Sequence, residues 1–165
     1  MAIAFRNVYW LWLSLAVIIA DQVSKQMIIR ALELYERVAV APFLNLVHMH
    51  NRGAAFSMMS EMPREFFILL AVAVSVGILI WLRRHPNGER VVAAGLSLIL
   101  GGALGNVIDR ARLGHVTDFI DFHVGGWHFA AFNIADAAIT VGAGLLLLDM
   151  LLQHLRERTR SKASE

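Results

Sequence analysis

The chain contains no cysteine. That excludes disulfides, thiolate nucleophiles, cysteine-based metal sites and S-acylation, but it does not fix the compartment. Charge is scarce too. Only 17% of the 165 residues are Asp, Glu, Lys or Arg, against about a quarter in an ordinary soluble domain. Several catalytic signatures are missing. There is no H-E-x-x-H, so the intramembrane zinc-protease pattern is absent. There is no G-x-S-x-G elbow and no clear Ser–His pairing for serine acyl transfer. No G-x-x-x-x-G-K-[ST] or G-x-G-x-x-G phosphate loop occurs, and no repeat or low-complexity segment.

What the chain has instead is apolar length. Hydrophobic residues make up 58% and mean hydropathy is +0.59. Residues 8–20 and 66–82 are uncharged, and 91–108 has only Asn106 as a strongly polar side chain. The last run carries Asp136 near its start and Asp149 near its end. Each run approaches the ~20 residues that a helix needs to cross hydrocarbon. The expected fold is an all-α membrane protein, one polytopic domain over 1–165. Its four transmembrane helices fall at about 8–29, 66–83, 91–109 and 134–155, leaving long loops at about 30–65 and 110–133. The first run reads as a retained helix, not a cleaved signal. Its charged n-region is only Arg6, no A-x-A site follows, and Asp21 and Lys25 interrupt the place for one. Alternation in "VAVAPFLNLVHMHNRGAAFSM" predicts strands lying at the membrane surface. The polar tail after Leu155 is expected to fray.

Positive charge selects the cytoplasmic side. Arg6, the turn "RRHPNGER" and the tail "RERTRSKASE" fall on one side, which places both termini in the cytoplasm and the two long loops outside. The long loops also carry arginines, so the bias is incomplete. A net charge of +2 and a pI near 9.5 need no nucleic-acid partner. Basic residues flanking helices beside anionic lipid give the same values.

With this topology the unusual polar residues collect at one level, near the outer interface. Asp21 and Lys25 are four apart on helix one, and Asn106, Asp109 and Arg110 end helix three. Asn133 and Asp136 open helix four, Asn51 and Arg52 lie in the first loop, and Asp118 lies in the second. Ionisable groups at membrane depth are costly and tend to be functional. Plainer readings stand beside this one. Asp21–Lys25 reads equally as a neutralising pair, and Asn106 as interhelical glue. Ser97, Gly101 and Gly105 form a small-residue stripe for close packing. Arg110 and Arg112 suit headgroup anchors, Asp121 a solvated loop, Asp149 a water-facing end, and His48 with His50 plain loop polarity. Asn133 and Asp136 resemble a capping box.

If the cluster is catalytic, its chemistry is that of carboxylates. Two aspartates at one depth share a proton; the ionised one takes a proton from water and the protonated one polarises a carbonyl. Spacing does not choose among Asp21, Asp109, Asp118, Asp121 and Asp136. A transporter would spread such groups through the bundle's depth. A non-catalytic lipid-binding protein would tolerate isosteric changes.

Five motifs in order, "DQVSK", "NRGAAF", "GGALGNVIDR", "HVTDF" and "FNIAD", closely resemble those of lipoprotein signal peptidase, the bacterial signal peptidase II. The resemblance covers about residues 21–141. It implies a membrane aspartic endopeptidase of the bacterial inner membrane, with four transmembrane helices and a small extracytoplasmic β-sheet in the first outer loop. Such an enzyme cuts signal peptides from diacylglyceryl-modified prolipoproteins just before the lipidated cysteine. The resemblance implies that Asp118 and Asp136 are catalytic, supported by Asn51, Gly53, Asn106, Arg110, Asn133, Asp21 and Lys25. It further implies no metal or other cofactor, contact with membrane phospholipid, inhibition by globomycin and a monomer acting near the outer face.

Overall fold

The structure, a computed structural model, describes residues 7–53, 61–84 and 89–163. Four helices organise it: α1 (Leu11–Ala31), entered by a single 3₁₀ turn at Val8–Trp10, α2 (Arg64–Arg84), α3 (Arg90–Leu113) and α4 (Ile134–Ala163). Each is long and apolar enough to cross a membrane. Much of their apolar surface faces outward: Trp12, Leu15, Ile19, Val23 and Met27 form one exposed stripe along α1. In lipid that is the expected surface, because burial against other helices is not what keeps these side chains from water. Residues 54–60, which include "AAF" of the second motif, and "HPNG" of the "RRHPNGER" turn lie outside the described residues.

Helix α3 is the centre of the bundle and packs against α1, α2 and α4. Small residues permit this on two sides. Gly101 meets the Ser14 backbone and Val17 of α1, and Ser14 Oγ donates to Ser97 O at 2.7 Å. The small-residue stripe therefore faces α1. A second face, not singled out from spacing, opposes α4. A methyl on Gly102 would collide with the Ala135 carbonyl, and one on Gly95 would lie 2.9 Å from Gly142 O. Only hydrogen fits there.

A four-stranded antiparallel sheet closes one end of the bundle, in the order β1 (Arg37–Ala41), β2 (Leu44–Asn51), β3 (Val116–Val124), β4 (Trp127–His128). Strands β1 and β2 fall where alternation placed them. The second long loop contributes as much as the first, however. Its alternating "HVTDFIDFHV" becomes β3, paired along most of β2. Gly114, at φ +79°, ends α3 with its N–H on Arg110 O and turns the chain into β3.

Three plain readings of the sequence are corrected. Asp121 is not a solvated loop residue: it is 3% exposed, and Asn45, His128 and Arg37 surround its carboxylate. His48 and His50 are strand residues; His48 is buried, and His50 stacks on His115 at 3.5 Å. Burial holds both imidazoles of that stack below the ordinary histidine value. The tail after Leu155 stays helical to Ala163, since Arg, Glu, Lys and Ala all favour helix.

The close α3–α4 contact yields a prediction. Gly102→Ala is expected to cost about 1–3 kcal/mol, read as a lower unfolding temperature of the purified protein in detergent. Gly77→Ala, where nothing lies within 4 Å of the added carbon, is expected to leave that temperature unchanged or raise it.

Candidate active site

The site begins at the start of α4. Asn133 Oδ1 accepts the Asp136 N–H at 2.9 Å, and Asp136 Oδ2 accepts the Asn133 N–H at 3.3 Å. This is the reciprocal cap that N-x-x-D suggested. A further free amide at the helix start, Ala135 N–H, donates to Asp21 Oδ1 on α1 at 2.9 Å. The positive end of α4 is thus met by two carboxylates from different parts of the chain.

Just before this cap, the main chain is sewn to β3. Phe119 and Ile120 N–H both donate to Phe132 O, at 3.0 and 2.8 Å, and Phe132 N–H donates to Ile120 O at 3.1 Å. Asp118 on β3 is brought beside Asn133 as a result, and Asn133 Nδ2 donates to Asp118 Oδ1 at 2.7 Å. Asn51 lies opposite Val116 in the sheet, on the same face as Asp118, and its Nδ2 donates to Asp118 Oδ2 at 2.9 Å. An extra residue in β2 between Leu46 and Met49 shifts the register beside Asp118. Asn106 of α3 donates to Asp136 Oδ1 at 2.8 Å.

Asp118 is 3% exposed. Burial, and then the nearby charge of Asp136, push its carboxyl up to about 7; the Asn51 and Asn133 hydrogen bonds and the Lys25 charge pull the other way. Near neutrality one carboxyl of such a pair holds a proton while the other is ionised.

Behind the pair lies an ionic node. Lys25 Nζ, 1% exposed, reaches Asp21 Oδ2 at 2.8 Å, Asp109 Oδ2 at 2.9 Å and Asn106 Oδ1 at 3.0 Å. Asp109 also accepts the Thr117 N–H at 3.1 Å, tying β3 to α3. Gln22 was not singled out from sequence, although it stands inside "DQVSK". Its Nε2 donates to Asp109 Oδ1 at 2.9 Å and to Asp21 Oδ2 and Gly105 O, both at 3.2 Å. Arg110, read also as a headgroup anchor, donates instead to Gly53 O at 2.6 Å with its guanidinium 4.8 Å over the Phe67 ring. Its Nε is buried without a partner among the described residues. Arg112 is exposed and takes no part.

A cavity of about 620 Å³ opens over Asp136; Asp118 lies beside it, bonded to Asn51 of the lining. Asn51, Gly53, Asn106, Arg110 and Asp136 give it polar groups at one end, Phe129–Phe132 form a wall, and Ile139–Val141 continue it along α4. All nine residues expected at the site therefore lie at the sheet end of the bundle. Asp21 and Lys25 stand one layer behind the cavity and the others at or beside it.

Known proteins resemble this chain in sequence and in fold. The family described as Signal peptidase (SPase) II matches residues 13–152. A lipoprotein signal peptidase of Coxiella burnetii (strain Dugway 5J108-111) is 49% identical over 146 residues, 87% of this chain and 90% of the relative. One from Burkholderia vietnamiensis (strain G4 / LMG 22486) is 51% identical over 145 residues, 86% of this chain and 87% of the relative. A solved bacterial membrane enzyme, determined by the in meso method at 2.3 Å resolution, superposes with a TM-score of 0.82 at 31% identity, covering 88% of this chain and 89% of the other. A second, at 1.9 Å resolution, gives 0.79 at 30% identity, covering 92% and 98%. This multi-pass membrane chain belongs to the signal peptidase II family.

Proposed function

We propose that this chain is a membrane aspartic endopeptidase that removes signal peptides from diacylglyceryl-modified prolipoproteins, with Asp118 and Asp136 as its catalytic pair. The observation that carries the reading is the convergence of these two carboxylates through Asn133, beside the polar end of an otherwise apolar cavity that Asp136 lines. Asp136, ionised, takes a proton from a water molecule held between the carboxyls. Asp118, protonated, donates a hydrogen bond to the scissile carbonyl oxygen. Water oxygen adds to the carbonyl carbon. The tetrahedral intermediate then collapses with cleavage of the C–N bond, and the departing amine takes the proton that Asp136 received. Asn51, Asn106 and Asn133 orient the carboxyls, Arg110 holds Gly53 at the rim, and Asp21 and Lys25 brace the site from behind.

The substrate arrives by lateral diffusion, its signal helix and acyl chains already in lipid. The residues 139–141 of α4 continue the cavity along the direction such a helix runs. With both termini in the cytoplasm, the orientation that the basic flanks favour, the pair lies near the outer face of the inner membrane. Phospholipid surrounds the exposed apolar stripes, globomycin competes for the cavity, and the chain acts as a monomer.

The test is cleavage of a diacylated prolipoprotein by the purified enzyme. Asp118→Asn and Asp136→Asn are each expected to lower kcat by roughly a thousandfold or more while the fold persists. Wild-type activity in either variant rules out the pair. Globomycin is expected to block the wild-type reaction, and prolipoprotein without its diacylglyceryl group is expected to be cut poorly.

The raised Asp118 carboxyl also predicts a pH dependence. In the fold it titrates near 7, against an ordinary value of 3.8. Between those values the folded state holds more protons than the unfolded one, so this group's contribution to stability is present at low pH and is lost as pH rises through about 7. Activity needs the same proton and is expected to decline over the same window. From about pH 5 to about pH 8, Asp118→Asn is expected to show a flatter unfolding temperature than wild type. Equal slopes in the two proteins contradict the assignment.

A further inference from the structure

Three asparagines point side-chain N–H groups at the aspartate pair, and each is held that way round by a donor at its other end. Asn51 Oδ1 accepts the Gly53 N–H at 2.9 Å, which turns Nδ2 towards Asp118. Asn133 Oδ1 accepts the Asp136 N–H at 2.9 Å, which also turns Nδ2 towards Asp118. Asn106 Oδ1 accepts from Lys25 Nζ at 3.0 Å, which turns Nδ2 towards Asp136. A carboxamide has one accepting end and one donating end, so a fixed donor on the first decides where the second points. Two of these donors are main chain. The third is a side chain.

Lys25 has three N–H bonds, and the structure uses all three. Two reach the carboxylates of Asp21 and Asp109, as charge balance in a buried node requires. The third goes to a neutral amide, which has no charge to balance. An ammonium has no acceptor, so it can only take the oxygen of Asn106, and the amide nitrogen is left to face Asp136 Oδ1 at 2.8 Å.

We propose that Lys25 is a positioning residue for the aspartate pair: by fixing the Asn106 amide it ensures that Asp136 receives an N–H and stays the carboxylate that accepts the proton from water. The proposal rests on the dyad reading above. Without the ammonium only a long 3.4 Å bond from Asn133 Nδ2 holds the Asn106 oxygen, so the amide turns more readily, and its oxygen then faces a carboxylate oxygen, a repulsive arrangement unless Asp136 is protonated. The base form is then reached only at higher pH.

The charged groups around Asp136 are Asp21 and Lys25 from α1, Asp109 and Arg110 from α3, and Asp118 from β3. Removing Lys25 alone strands two buried carboxylates and endangers the fold. The paired change Asp21→Asn with Lys25→Met removes one charge of each sign, so the net charge of the cluster is kept. The new amide oxygen still offers Ala135 N–H an acceptor. In purified full-length enzyme, kcat/KM for a diacylated prolipoprotein is measured against pH. The paired variant is expected to move the acid limb upward by about one pH unit, a tenfold loss on that limb, and to leave the alkaline limb in place. Asn106→Ala leaves Lys25, Asp21 and Asp109 together and is expected to move the same limb similarly. Adding the paired change to it is expected to move the limb no further.

An acid limb at its wild-type position in the paired variant, or shifts that simply add, overturns the proposal. If the paired variant does not fold, Asn106→Ala decides: an upward limb supports the proposal and an unmoved one overturns it. Failure of the dyad reading has a separate signature, wild-type activity in Asp118→Asn or Asp136→Asn.

Discussion

A single ammonium group holds this architecture in register. Lys25 is shut away from solvent between α1 and α3, and its partners reach the other elements in turn. Asp21 passes from it to the Ala135 amide near the start of α4, and Asp109 to the Thr117 amide near the start of β3. Four elements, α1, α3, β3 and α4, therefore meet on one cation. Such a node is poor evidence of stability, because desolvating its members offsets much of their attraction. It is good evidence of specificity. A helix turned by one residue or slid by one turn leaves a buried charge unmatched, and removal of one partner commonly costs about 3–5 kcal/mol.

The node requires close helices, and the glycines of α3 supply them. Gly101 and Gly105 bring α1 near enough for Asp21 to lie beside α3, and Gly102 and Gly95 bring α4 near enough for Asn106 to reach Asp136. In lipid, where apolar surface gains little from leaving its surroundings, backbone proximity and polar contacts carry more of the association than in water. The sheet adds the last constraint. Main-chain bonds between Phe132 and β3 set the distance from Asp118 to the start of α4, so the pair does not depend on a flexible loop.

Much of this was legible in the chain. Four apolar runs gave four helices, because length and the near absence of charge are one-dimensional properties. The cap at Asn133 and Asp136 was readable because its partners are three residues apart. The stripe of Ser97, Gly101 and Gly105 was readable for a similar reason. Alternation located β1 and β2 but undervalued the second loop, whose strand earns its place only through pairing with β2. Contacts across the fold were not legible. Nothing in "DQVSK" says that Gln22 reaches Asp109, and nothing in "DFIDF" says that the second aspartate is enclosed by Asn45, His128 and Arg37. Spacing also left Asp118 one candidate among five. The ordered motifs selected it, and the sheet places it beside Asn133.

The asparagines around the pair have a consequence for the electrical state of the site. Asp21, Asp109, Asp118 and Asp136 bring four negative charges, and Lys25 and Arg110 bring two positive ones, which leaves two negative charges in excess. The proton assigned to Asp118 removes one of them. Asn51, Asn106 and Asn133 add hydrogen-bonding capacity without adding charge, so the excess stops there. The proton proposed for Asp118 is therefore also a counter-ion. When it leaves, an inclusion bordered by lipid carries a double negative charge, and hydration is the cheapest remedy available to it. The same event that disarms the pair thus invites bulk water into a pocket otherwise lined for hydrocarbon.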